Sequence, residues 1–70
     1  MSLNHIPVAA VIAAEALDRA DDKDELEAIW LSKGCEAFRG RARDYVMQRY
    51  RHVCARIDGN TRALRLARAI

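Results

Sequence analysis

No stretch of this chain alternates apolar and polar residues with the period of two that a half-buried strand needs, so a sheet has nothing to be built from. Apolar residues recur at three and four instead. Ala, Leu, Arg and Glu are plentiful, while 70 residues hold only three Gly and one Pro. These are helix formers with few breakers. The expected architecture is all-α: a short hairpin or bundle of three to four helices in one domain covering residues 1–70.

Size sets the next constraint. A chain this short buries only about 60% of the surface its unfolded form exposes, and its core rarely supplies more than about 3–5 kcal/mol. Disulfides, a metal or a partner chain usually make up the rest. Cys35 and Cys54 lack the CxxC or Cys/His spacing of a zinc site. They read as two reduced, buried thiols, with one intrachain disulfide as the alternative, and no metal or cofactor is expected. The run from Ile6 to Ala14 is far shorter than the ~20 apolar residues that span a bilayer. Only His5 precedes it, without the basic residues of a signal peptide. The expectation is a cytoplasmic protein without a membrane partner.

Four helical segments are predicted. The first runs from about Pro7 to Arg19, with Pro7 at the first helical position, where its missing N–H costs nothing. Val8, Val11 and Ile12 point one way, Leu17 the other, and alanines fill the remainder. A helix apolar nearly all round is buried on several sides, and a second copy of the chain would supply the missing wall. The second segment opens on the acidic run 21–25, where Asp22 and Glu25 have the form of a capping box. This run lacks the glycine and terminal Glu of a calcium loop. Beyond it, Leu26, Ile29, Trp30 and Ala37 make one apolar face and Leu31, Cys35 and Phe38 another. Gly34 either ends this helix after Lys33 or is tolerated inside it.

The third segment, from about Ala42 to Ile57, carries the clearest core stripe. Val46, Tyr50, Val53 and Ile57 are spaced by four, three and four residues, with Met47 and Cys54 beside them. Asp58-Gly59 is expected to stop it, with Asn60 or Thr61 capping a last short helix. There Ala63, Leu66, Ala67 and Ile70 face one way and Arg62, Arg65 and Arg68 the other. Val8, Val11, Ile12, Leu26, Trp30, Val46, Tyr50, Val53 and Ile57 are thus the candidate core or dimer-interface residues.

Charge is unevenly distributed. Residues 1–36 hold eight acids and three bases, and residues 37–70 hold nine arginines against Asp44 and Asp58; −5 and +7 give the net +2. Arginine outnumbers lysine ten to two, and its planar fork pairs bidentately with carboxylate or phosphate. A second stripe on the third segment, Arg41, Tyr45, Arg49, His52 and Arg56, is read as lying opposite the core. It is the candidate partner-binding surface, because an exposed aromatic among arginines is hot-spot composition. It also suits bases stacked on Tyr45 with arginines on phosphates. Otherwise it is a solvated face whose arginines pair with acids of the first two helices. Neither His5 nor His52 sits at ligand or triad spacing, and Ser2 and Ser32 have no base nearby, so no catalytic residue is assigned.

The segment Asp24-Glu25-Leu26-Glu27-Ala28-Ile29-Trp30 resembles a short helical segment near the C-termini of phage single-strand annealing recombinases. The annealing core of those proteins is absent here. A very short, Ala- and Arg-rich, all-helical chain is also similar in kind to small early proteins of temperate phages. Some of those bind and disable host proteins, including quorum-sensing regulators and pilus-assembly motors. The resemblance implies a mobile-element protein that works by contact. The expected function is a non-enzymatic homodimer that inhibits or modulates another protein, such as a host regulator or motor. The alternative is a nucleic-acid-binding or recombination accessory protein using the arginine-rich half.

Overall fold

In the computed structural model, residues 6–69 are described; residues 1–5 and 70, which include Ser2, His5 and Ile70, lie outside the described residues. Three α-helices and one 3-10 turn follow one another: α1 (Val8–Asp18), α2 (Lys23–Ser32), the turn Cys35–Ala37, and α3 (Gly40–Ala69). Among the described residues there is no strand, and the chain is all-α. No described helix is long and apolar enough to cross a membrane.

Local chemistry sets most boundaries. Pro7, with φ −56° and ψ 144°, is the N-cap of α1 rather than its first helical residue. Asp22 is extended at φ −143° and ψ 172°, and its carboxylate accepts from the Glu25 N–H at 2.7 Å. That bond satisfies one of the orphan donors of the first turn of α2. Gly34 ends α2: it follows the C-cap Lys33 with φ 65°, a left-handed conformation that glycine adopts without steric cost.

Asp58-Gly59 does not stop α3, which runs unbroken for 30 residues. Among the described residues, only Gly34 and Gly40 have positive φ. Gly59 is therefore an ordinary helical residue, unfavourable there by about 1 kcal/mol relative to Ala but unable alone to turn the chain. The third and fourth predicted segments are one helix.

The core is where α1 and the loop after it lie against the first two-thirds of α3, with α2 closing one end. Its largest fully buried side chains are Leu17, Leu26, Val46, Val53 and Cys35. Burying a leucine or valine of this kind contributes about 1.5–3 kcal/mol. Of the predicted core, Leu26, Val46, Val53 and Ile57 are buried and Trp30 and Tyr50 half-buried against them. Val8 and Ile12, expected in the core or at a dimer interface, are 69% and 51% exposed and so lie outside the core of the single chain, with Val11 half-buried. The face that α1 turns inward is Ala10, Ala13, Ala14 and Leu17. Small side chains let two helix backbones approach closely, so the alanines dock and the bulkier residues remain outside.

The molecule measures 56 × 22 × 14 Å, its long axis set by α3, which at 1.5 Å per residue is about 45 Å long. Beyond Ile57 the helix leaves the bundle, and every residue from 58 to 68 is exposed. At the exit Lys23, at the start of α2, pairs with Asp58 at 2.8 Å. The hydrogen bond and charge of Asp58 push the Lys23 ammonium pKa up.

Candidate functional site

Two surfaces of α3 bear on function: the seam with α1 and the groove with α2. Tyr45, Arg49, His52 and Arg56 each precede a core residue (Val46, Tyr50, Val53, Ile57) by one position. One residue turns an α-helix by about 100°, so this stripe lies beside the core rather than opposite it. The structure places α1 along that edge. The Arg49 guanidinium pairs with the Asp18 carboxylate. Arg56 donates to the Asp18 carbonyl at 3.0 Å and the Ala20 carbonyl at 2.7 Å. These carbonyls belong to the end of α1 and the turn after it, where oxygens lack helical partners and cations are favoured.

Tyr45 is half-buried against the core, and the Arg49 guanidinium lies 5.9 Å from its ring centroid. The sequence expectation is thus corrected in its geometry. Arg49 and Arg56 hold the end of α1 to α3, Tyr45 packs against the core beside Arg49, and His52 and Arg41 are exposed along the same edge. The paired-arginine reading of this stripe holds for Arg49, whose partner is an acid of α1.

The groove is formed where α2 and the first half of α3 diverge. Gly34 and Gly40, at φ 65° and 60°, turn the chain between them. The cleft has a volume of about 730 Å³. Trp30 and Leu31 from α2 and Met47 and Tyr50 from α3 make its apolar lining. The Trp30 and Tyr50 rings meet edge to face, with centroids 5.1 Å apart and planes at 72°, a geometry worth about 0.5–1.5 kcal/mol beyond area burial.

Both charge signs rim this cleft, with Glu27 and Glu36 facing Arg39 and Arg43. Arg39 donates to the Glu36 carbonyl at 3.0 Å and the Phe38 carbonyl at 3.2 Å, which ties the arginine to the rim. Leu31 is 59% exposed and Trp30 only half-buried. Burial, followed by the charges of Cys54 and Glu27, pushes the Tyr50 phenol pKa up. The phenol remains neutral and able to donate at neutral pH.

Sequence reasoning assigned Trp30 and Tyr50 to core or dimer interface and did not pair them, and it gave Glu36, Arg39 and Arg43 no role. Met47 and Tyr50, three apart on α3, were a usable signal: they share a face that the core stripe only partly covers.

Among the described residues no three His, Cys, Asp or Glu side chains converge to hold a metal. Cys35 and Cys54 are free thiols, one buried and one half-buried, and burial pushes the Cys35 thiol pKa up, away from the reactive thiolate. The Ser32 hydroxyl donates to the Ile29 carbonyl at 3.2 Å. Comparison with protein-family models, characterised proteins and solved structures finds no match.

Proposed function

We propose that this chain is a small, non-enzymatic, cytoplasmic protein-binding module, and that the α2–α3 groove is its contact surface. One observation carries the reading: Trp30 and Tyr50 set edge to face in a half-open cleft, with arginines and glutamates on its rim. Trp, Tyr and Arg dominate binding hot spots, which sit in pockets that a partner closes to water. A rim of both signs discriminates between partners by charge complementarity. The groove suits an apolar helix or turn that buries one or two side chains against Trp30 and presents opposite charges to the rim. By its likeness in kind to early phage proteins, the module acts by occupying and modulating its partner, such as a host regulator or motor.

The chain also self-associates in this reading. Val8 and Ile12, one turn apart and both exposed on α1, are the apolar face that a second copy would cover.

The test uses a photo-crosslinking amino acid in place of Leu31, expressed in the source cell, to identify the protein that it captures. Calorimetry with that purified protein then compares wild type with Leu31→Asp. Leu31 is exposed, so the variant should melt within about 0.5 kcal/mol of wild type and lose about 2 kcal/mol or more of binding. Unchanged affinity would place the contact elsewhere.

A further inference from the structure

The end of α3 lies outside both surfaces. Residues 59–69 hold Arg62, Arg65 and Arg68 and no acid, and every residue from 58 to 68 is exposed. Asp58, the last acid before it, is engaged by Lys23. This segment has little reason to be helical on its own. Asp58, Gly59, Asn60 and Thr61, four poor helix formers in succession, stand where the helix leaves the bundle. An isolated helix of about a dozen residues is marginal in water. In the free chain its helical form rests on continuity with the bundled part of α3, and a ligand laid along it would add support.

We infer that this arm binds B-form DNA, laid in the major groove with its arginines on the phosphates. Steps of three residues spread Arg62, Arg65 and Arg68 over about 120° of the helix surface. That arc is too broad for one line of carboxylates, but it matches a groove walled by phosphates on both sides. The major groove, about 12 Å wide, admits an α-helix. Arginine forms bidentate bonds to phosphate.

The competing occupants fit less well. Leu64 and Leu66, 60% and 62% exposed, lie about 160° apart around the helix. Among the described residues, the arc between them holds Gly59, Asn60, Ala63 and Ala67, a face too shallow to anchor in a protein cleft or a bilayer. Arg51, eleven residues before Arg62, lies on nearly the same line of α3, with the Lys23–Asp58 pair between them.

Fluorescence anisotropy with a labelled 20-base-pair DNA duplex of arbitrary sequence tests this. At about 50 mM salt, the full chain should bind with a Kd near or below the 10⁻⁶–10⁻⁴ M typical of non-specific binding at physiological salt. Affinity should fall linearly with log salt. Substituting Arg62, Arg65 and Arg68 together by Ala keeps helix propensity, so loss of binding cannot be ascribed to a poorer helix. This variant should bind at least tenfold more weakly, with a salt slope flatter by about 2.7, or about 0.9 per phosphate contact. Leu31→Asp in the α2–α3 groove should bind DNA like wild type.

Amide exchange of residues 61–69 should slow when duplex is added. No binding by wild type, or undiminished binding by the triple variant, would overturn the inference. So would equal affinity for an RNA duplex of the same sequence, whose narrow major groove excludes a helix. Equal affinity for phosphatidylserine vesicles would assign the arm to a membrane surface. Exchange that slows with protein concentration alone would assign it to a second copy; either result rejects DNA.

Discussion

Arg56→Ala decides whether the arginine edge of α3 is a seam or a free surface. Arg56 makes two charge-assisted bonds to carbonyls at and just beyond the end of α1, at 2.7 Å and 3.0 Å. Such a bond contributes about 1.5–3 kcal/mol when well shielded, and a neutral one about 1 kcal/mol. Arg56 is exposed, so water recovers much of what the substitution removes. The Asp18 carbonyl bond is the more exposed of the two, and the Ala20 bond the better shielded. A loss of about 1.5 kcal/mol for the pair follows.

In a domain whose core supplies about 3–5 kcal/mol, that is about 30–50% of the total. With 4–8 °C per kcal/mol at this size, the melting temperature should drop by about 6–12 °C. The urea midpoint should move by about 1.5 M for an m-value near 1 kcal/mol/M. Urea titration followed by far-UV circular dichroism measures both stability and m. Arg56→Lys should recover about half, since both bonds come from the single Nη2 atom and an ammonium can also serve two carbonyls, but on a more flexible stem. Stability of Arg56→Ala within about 0.5 kcal/mol of wild type would refute the reasoning. The alanine face of α1 would then hold that helix alone, and the stripe would be available to a partner.

Two further outcomes test the fold. Gly59→Ala should raise helicity and stabilise α3 by about 0.5–1 kcal/mol, because Gly59 has no positive φ and a Cβ there meets nothing within 4 Å; destabilisation in the same urea titration would mean that Asp58-Gly59 forms a turn. Cys35, Tyr50 and Lys23 all have pKa values raised by folding. The folded chain therefore holds protons that the unfolded chain has released. Stability should be whole below the ordinary thiol value of 9.0 and fall as pH rises above it. Melting temperatures between about pH 8 and pH 10.5 follow this, and Cys35→Ala should shallow the first part of the decline. A flat or rising profile would contradict the burial of Cys35 and Tyr50.

Much of the local structure was determined by the sequence alone. The recurrence of Val46, Val53 and Ile57 marks the buried face of α3, because a helix repeats every 3.6 residues whatever lies beside it. Asp22 and Gly34 mark the two ends of α2, because capping involves only neighbouring backbone. What remained undetermined depended on which helix meets which. Periodicity divides a helix into faces but does not say which face finds a neighbour. Val8 and Ile12 therefore look like core residues until the alanine face of α1 is seen against α3.

The bonds from Arg49 and Arg56 join residues 31, 36 and 38 positions apart, beyond the reach of any local pattern. The Trp30–Tyr50 groove likewise exists only because two glycine turns bring α2 back beside α3. At Gly59 the local breaker signal was real but weak, and continuity of the helix outweighed it by little. Helix faces and ends follow from neighbouring residues, whereas the seam and the groove follow from how three helices share one small core.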